Sequence, residues 1–68
     1  MKTQKGYMLV HFTKKLINLD LWASTKEELQ EDLSLLVSEN KDARIVPYYK
    51  EDNKAYLEMA SGTFVRIQ

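Results

Sequence analysis

The chain has 68 residues, of which 44% are hydrophobic and 29% are charged, and its ten basic and ten acidic side chains give no formal net charge. A chain of this length forms one domain with a thin core, and this composition argues against an intrinsically disordered protein. Balanced charge argues against a protein that mainly holds a phosphate backbone. Because cysteine is absent, disulfide staples and thiolate zinc sites are excluded.

We expect a cytoplasmic protein that makes no contact with a membrane. Small secreted domains usually depend on disulfides, which this chain lacks. The apolar run near the amino terminus ends at Phe12, and it is too short and too polar at its flanks for a secretory signal peptide. No segment approaches the ~20 apolar residues of a membrane span.

Charge is distributed unevenly along the chain. The net charge is +4 over residues 1–26, −5 over residues 27–43 and +1 over residues 44–68. A block of acids like the middle one is most often the solvated face of a helix.

Two strands, at about residues 6–13 and 16–23, are predicted to form a β-hairpin, because apolar side chains alternate along both of them. A four-residue loop centred on Lys14 and Lys15 places each apolar residue of the first strand opposite one of the second. The expected pairs share one face of the hairpin and are Phe12–Ile17, Val10–Leu19 and Met8–Leu21.

A helix is predicted at about residues 25–40. Ser24 or Thr25 can cap its start, since each is followed by a glutamate three residues later, which is the capping-box pattern. Asn40 is a suitable last residue. Leu35 lies outside the apolar stripe that the helical period defines. That stripe consists of Leu29, Leu33, Leu36 and Val37.

The last third of the chain is predicted to form a meander of three strands, at about residues 44–50, 55–60 and 63–68. Turn residues separate these strands at Asp52-Asn53 and at Ala60-Ser61-Gly62, where the glycine suits a left-handed conformation. The expected pairs again share one face and are Tyr48–Leu57, Val46–Met59, Leu57–Val65 and Ala55–Ile67.

The predicted fold is therefore α+β with the order ββαβββ, in which one amphipathic helix packs on an antiparallel sheet. The sheet combines the amino-terminal hairpin with the carboxyl-terminal meander, and its curling toward a partial barrel is left open. Pro47 cannot donate a hydrogen bond, so its strand is expected to be an edge, or its amide to point outward.

The predicted registers direct five aromatic side chains and one arginine away from the helix. These residues are Tyr7, Trp22, Tyr49, Tyr56, Phe64 and Arg66. One helix ~10 Å wide covers about two strands spaced ~4.8 Å apart, so it cannot cover five. Three arrangements remain open: a curled sheet with a second core, a homodimer, or a face that binds another partner.

No catalytic or metal-binding pattern is present. His11 is the only histidine, and the predicted registers give it no Asp or Ser partner. The adjacent carboxylates lie in exposed helix turns or in a hairpin loop, where water keeps them ionised. The two glycines are too far apart for a phosphate-binding loop. We expect neither an enzyme nor a bound cofactor, metal or small-molecule substrate.

Three functions are consistent with the sequence. The first is a protein-interaction module that binds a partner, or itself, through the aromatic face or an edge strand. The second is a weak binder of single-stranded nucleic acid, in which the aromatic side chains stack on bases. The third is a small acidic inhibitor that docks on a basic host surface through its helix. The acidic helix face consists of Glu27, Glu31, Asp32 and Glu39.

The chain carries no motif of a known family. Its small size, its lack of cysteine and its surface rich in lysine, glutamate and asparagine are similar in style to small proteins of Gram-positive bacteria and their phages. This similarity implies no functional residue.

Overall fold

The structure is a computed structural model that describes all 68 residues. Its strands are, in chain order, β1 (Thr3–Phe12), β2 (Ile17–Ala23), β3 (Asp42–Glu51), β4 (Lys54–Glu58) and β5 (Phe64–Arg66). A turn of 3-10 helix, Glu27–Leu29, leads into the α-helix α1 (Gln30–Ser38). The strands form one antiparallel sheet in the order β2-β1-β3-β4-β5, which does not close into a barrel. The predicted α+β fold is confirmed.

The hairpin of β1 and β2 follows the predicted register only near its loop. The four-residue loop is present, and the two pairs nearest to it are confirmed. These pairs are Phe12–Ile17 and Val10–Leu19. A bulge then adds Asp20 to β2, so that Met8 lies opposite Trp22 instead of Leu21. The predicted Met8–Leu21 pair is wrong, because one extra residue moves every later side chain of β2 to the other face.

The helix begins without the predicted capping box. The hydroxyls of Ser24 and Thr25 donate hydrogen bonds to the carboxylate of Glu28, at 2.9 and 3.2 Å, and no side chain caps a backbone N–H. The first turn is a 3-10 turn, which tightens the backbone where the cap is missing.

The helix ends at a Schellman motif built on Asn40. This residue has a left-handed φ of 63°. Its N–H donates to the carbonyl of Val37 at 3.0 Å, and the N–H of Lys41 donates to the carbonyl of Leu36 at 3.1 Å. These two bonds satisfy carbonyls that the end of the helix would otherwise leave free. The α-helix ends at Ser38, two residues before the predicted end, and Asn40 forms the turn that terminates it.

The helix packs on the face of the sheet that carries Leu9. Leu29 is fully buried against Leu9 and Ala23, and further apolar side chains surround this cluster. The surrounding residues are Tyr7, Leu33, Leu36, Ala43 and Ile45. The predicted burial of Val37 is wrong, since 55% of this residue is exposed.

A second apolar cluster forms on the opposite face, which the sequence had predicted to lie under the helix. Val10, Val46 and Leu57 are buried at its centre. The side chains around them are Met8, Phe12, Ile17, Tyr48, Met59 and Ile67. Val10 and Leu57 are fully buried although no helix covers them. The large side chains around them, which come from several strands and from the ends of the chain's loops, pack over this cluster.

Pro47 interrupts the ladder between β3 and β4. β3 lies in the middle of the sheet, so the expected edge position is wrong. The ladder begins at Glu51, next to the turn, and stops at Tyr48. Every second residue of an antiparallel strand bonds to the same neighbour, so Tyr49 and then Pro47 would bond to β4. Pro47 has no N–H, and the two strands separate there.

The remaining turns agree with the sequence. Asp52 takes a left-handed φ of 55° in the two-residue turn before β4, and Gly62 takes a φ of 88° in the turn before β5. The N–H of Gly62 donates to the carbonyl of Met59 at 2.8 Å. The predicted Leu57–Val65 pair is confirmed.

Candidate interaction surface at the edge of the sheet

The predicted aromatic face is divided between the two sides of the sheet. Tyr7, Tyr49, Tyr56 and Phe64 lie on the side that the helix covers in part, not on the opposite one. Trp22 lies on the other side, because the bulge at Asp20 places it opposite Met8. The prediction of one aromatic face directed away from the helix is therefore wrong.

Tyr49, Tyr56 and Phe64, here called the aromatic cluster, are engaged by residues of their own chain. The hydroxyl of Tyr49 donates to the carboxylate of Glu58 at 2.9 Å, and this hydrogen bond raises the pKa of Tyr49 above 10.0. The rings of Tyr49 and Phe64 pack edge to face with centroids 5.1 Å apart. The ammonium of Lys2 lies 4.6 Å from the ring centre of Tyr56 and 5.0 Å from that of Phe64.

The amino-terminal segment is held next to this cluster by Glu51. The carboxylate of Glu51 accepts the terminal ammonium of Met1 at 2.8 Å and lies 4.0 Å from the ammonium of Lys2. The hydrogen bond from the terminal ammonium lowers the pKa of Glu51. Arg66 lies opposite Tyr56, and its Nε donates to the carbonyl of Gln68 at 3.0 Å. The predicted partner-binding residues of this region are thus already paired with their own chain.

Large exposed apolar side chains concentrate instead at β2, which is an edge strand of the sheet. Leu19, Leu21 and Trp22 on β2 are 46%, 45% and 49% exposed, and Leu35 on the adjacent helix is 57% exposed. We call these four residues the edge patch. One row of backbone N–H and C=O groups on an edge strand has no partner in the sheet. Hydrogen-bonding groups and apolar side chains are therefore available side by side.

Trp22 is held in place although half of it is exposed. Its indole N–H donates to the carbonyl of Lys5 at 2.9 Å. Gly6 leaves the space for this contact, because a Cβ at that position would lie 2.5 Å from the carbonyl oxygen of Ala23 and 2.9 Å from the indole nitrogen. A fixed, half-exposed indole loses little entropy when a partner covers it.

A cavity of about 210 Å³ lies between β2 and the helix, and we call it the edge groove. Its lining residues are Leu9, Asp20, Leu21, Asp32, Leu35 and Leu36. Two carboxylates and four leucines therefore share one shallow cavity that borders the free edge of β2.

The predicted acidic helix face is exposed and adjoins this groove through one member. Asp32 lines the groove, and Glu39, seven residues further on, lies on the same flank of the helix. Glu27 and Glu31 are exposed further round the helix. In the sequence the acidic helix and the edge strand are separate candidates, whereas the fold places them side by side.

His11 has a partner that the sequence did not predict. Its Nδ1 lies 2.7 Å from a carboxylate oxygen of Asp20. The bulge in β2 brings Asp20 to this position, so the expectation that His11 has no acidic partner is wrong. No cluster of three or more His, Asp or Glu side chains is arranged to hold a metal ion.

A second, larger cleft of about 490 Å³ opens where β3 and β4 separate at Pro47. The predicted Val46–Met59 pair is not part of the ladder, and both residues line this cleft, together with Phe12 and Arg44. The guanidinium of Arg44 lies 5.7 Å from the ring centre of Phe12. This cleft is lined mainly by apolar residues and, unlike the edge groove, carries one charge of each sign, from Arg44 and Glu58.

Comparisons of the chain with models of protein families, with curated proteins and with solved structures found no match. The helix falls short of the length and apolar character needed to cross a membrane.

Proposed function

We propose that this chain is a small non-enzymatic protein-interaction module that binds a protein through the edge strand β2. The observation that carries the proposal is the edge patch, where exposed apolar side chains flank a free strand edge. These side chains lie on both faces of β2, and exposed apolar side chains that cluster on a small protein mark an interaction site. A free edge strand is a template for pairing with another chain.

The aromatic cluster is a weaker candidate for the same role. Its Tyr49 hydroxyl is bound by Glu58, and its Tyr56 and Phe64 rings are approached by Lys2. A partner would have to displace these contacts before it gained its own. The edge patch has no such competitor except the contact between Trp22 and Lys5, which leaves half of the indole exposed.

The non-enzymatic part of the proposal rests on the form of the two cavities. Both are shallow and open, and the carboxylates of the edge groove lie where water reaches them. General acid–base chemistry at neutral pH requires groups whose pKa values are shifted by an enclosed site. A binding surface has no such requirement.

Site-specific photo-crosslinking tests the proposal in the cells that express the chain. A photoreactive residue replaces Leu19 or Leu35 in the edge patch, and Asp52 in the exposed β3–β4 turn serves as the control position. We expect both patch positions to cross-link to one and the same protein, which is either a different chain or a second copy. Light scattering of the purified chain distinguishes these two forms.

The proposal fails if the patch positions give no cross-link while the purified chain remains monomeric at high concentration. It also fails if Asp52 gives the same products as Leu19 and Leu35, since those products would then reflect unspecific contact.

A further inference from the structure

We infer that the edge groove takes a basic, extended polypeptide segment, which adds as a sixth strand to β2. This inference rests on the proposed function and specifies the chemistry of its partner. The added strand places lysine or arginine side chains over Asp20 and Asp32, and apolar side chains against Leu19 and Trp22.

The free edge of β2 determines the form of the partner. β2 has seven residues, which gives an edge of about 23 Å at ~3.3 Å per residue. An added strand gains backbone hydrogen bonds along this edge, and its alternate side chains then point to opposite faces of the sheet. An added strand whose residue types alternate therefore presents one type of side chain to the edge groove and another type to the opposite face.

The charge of the edge groove determines the first of these two chemistries. Asp20 and Asp32 both line the groove, and its other lining residues are leucines. One oxygen of Asp20 is bound to His11, which leaves the other free to accept. Lysine and arginine fit such a site because their methylene stems cover apolar surface while their charged ends reach carboxylates. The net charge of −5 over residues 27–43 attracts such a segment from a distance.

The opposite side of β2 determines the second chemistry. Leu19 and Trp22 are half-exposed, and they lie opposite Val10 and Met8 of the second apolar cluster. Apolar side chains of an added strand would extend this cluster across the edge. The expected partner segment therefore alternates basic and apolar residues.

A second copy of this chain fits the site less well. It would bring its own Asp20 and Asp32 to the same edge, so that four carboxylates would approach one another. Acids that repel a copy of the chain attract a basic segment.

Nuclear magnetic resonance titration of the labelled chain with three short synthetic peptides tests the inference. The first peptide alternates lysine and valine. The second alternates glutamate and valine, and the third is the first with two of its valines replaced by proline. We expect only the first to shift the amide signals of Ile17–Ala23, because the second reverses the charge and the third cannot complete the ladder.

Two matched variants test which carboxylate contributes to binding of the lysine–valine peptide. Asp32→Asn is expected to weaken binding of the lysine–valine peptide about tenfold, since it removes one close charge pair, and to flatten the dependence of affinity on salt. Asp52→Asn removes the same charge from an exposed turn whose φ of 55° suits asparagine, and it is expected to leave binding unchanged.

Separate outcomes overturn the inference and the proposed function. If the glutamate–valine peptide binds as tightly, or if Asp32→Asn has no effect, the basic partner is wrong while β2 remains a binding edge. If light scattering shows a dimer that Leu19→Lys dissociates, the inference is also wrong, and the proposed function stands in its self-binding form. If no peptide shifts the β2 signals and the photo-crosslinks from β2 are absent, both are wrong.

Discussion

The aromatic cluster and the edge patch are both rich in exposed or half-exposed apolar atoms, but they differ in what their own chain does with them. Around the aromatic cluster, Glu58 accepts from Tyr49, and Lys2 lies near two of the rings. Around the edge patch, Leu21 and Leu35 are 45% and 57% exposed. Apolar composition alone would rank the aromatic cluster first.

The difference shows what distinguishes a binding surface from a structural one. Whether neighbouring residues of the same chain already engage the apolar side chains matters more than how many of these side chains are aromatic. Cross-strand aromatic pairs stabilise a sheet without any partner, and cation–π contacts satisfy the ring faces. The unpaired N–H and C=O groups of a free strand edge find no such partners within the sheet, because they face away from every other strand.

The largest expected effect is on the edge patch and follows Gly6→Ala. Gly6 has a φ of +112°, and an added Cβ would lie 2.5 Å from the backbone oxygen of Ala23. Left-handed strain costs about 1–2 kcal/mol, and the backbone clash adds to it by separating β1 from β2. We expect the free energy of unfolding to fall by at least about 2 kcal/mol, and the fluorescence of Trp22 to move toward that of a solvated indole.

Gly62→Ala is the matched control for this substitution. Gly62 also has a positive φ, of +88°, but nothing lies within 4 Å of the added Cβ. We expect a loss of about 1 kcal/mol from strain alone, measured by the same chemical denaturation. Equal losses in the two variants would contradict the role of Gly6 in holding β2 and Trp22 together.

A smaller effect is expected in the aromatic cluster from Tyr49→Phe. The hydrogen bond to Glu58 raises the pKa of Tyr49 above 10.0, with smaller contributions from desolvation and from the charge of Glu58. The fold favours the neutral phenol of Tyr49. The hydrogen bond therefore stabilises the fold below pH 10.0, and this contribution is lost as the pH rises through the raised pKa. We expect the stability difference between wild type and variant to disappear in this alkaline range.

Absorbance titration of the tyrosines in the near ultraviolet measures the same group directly. The difference between wild type and Tyr49→Phe is expected to show a single step with its midpoint above 10.0. Glu58→Gln should move that step downward, since it removes the carboxylate charge. A step at or below 10.0 in the wild type would mean that Tyr49 is free, and that the aromatic cluster is as open to a partner as the edge patch.

Local patterns in the sequence were sufficient to predict much of the fold. Alternating apolar residues identified the strands, and the spacing of Leu29, Leu33 and Leu36 identified the face that the helix buries. Gly62 marked a position with left-handed φ, and Asn40 marked the end of the helix to within two residues. Each of these predictions depends on neighbours within a few residues, where side-chain period and turn chemistry dominate.

The side of the sheet on which the helix packs did not follow from such patterns. Residues 7–10 are four consecutive apolar residues, so both faces of β1 are apolar and alternation cannot choose between them. Such a run is typical of a strand that is buried on both faces. This signal could have predicted the two clusters that lie on either side of β1 at Leu9 and Val10.

The edge groove could not be predicted because it depends on one bulge. Nothing in the residue types of β2 distinguishes a regular strand from one with an extra residue at Asp20. That residue moves Trp22 to one face, Leu21 to the other, and its own carboxylate toward His11. A bulge is set by the balance of packing on both faces, which local propensity does not contain.

The smallest effect is expected from Glu51→Gln, which tests whether the amino-terminal segment holds Lys2 over the aromatic cluster. The hydrogen bond from the terminal ammonium of Met1, followed by its charge, lowers the pKa of Glu51 below its ordinary 4.5. The fold thus favours the ionised carboxylate of Glu51. Its contact with the terminal ammonium therefore stabilises the fold above pH 4.5, and this contribution is lost as the pH falls through the lowered pKa. The stability difference between wild type and Glu51→Gln is expected to vanish in that acid range.

Acetylation of the amino terminus is the control for this last prediction, because it removes the charge of the donor and leaves Glu51 in place. The acetylated wild type is expected to follow the pH dependence of Glu51→Gln. If it kept the full wild-type dependence instead, the partner of Glu51 would be Lys2, at 4.0 Å. Lys2 would then be shared between a carboxylate and two rings, and the aromatic cluster would be held more loosely than its contacts indicate.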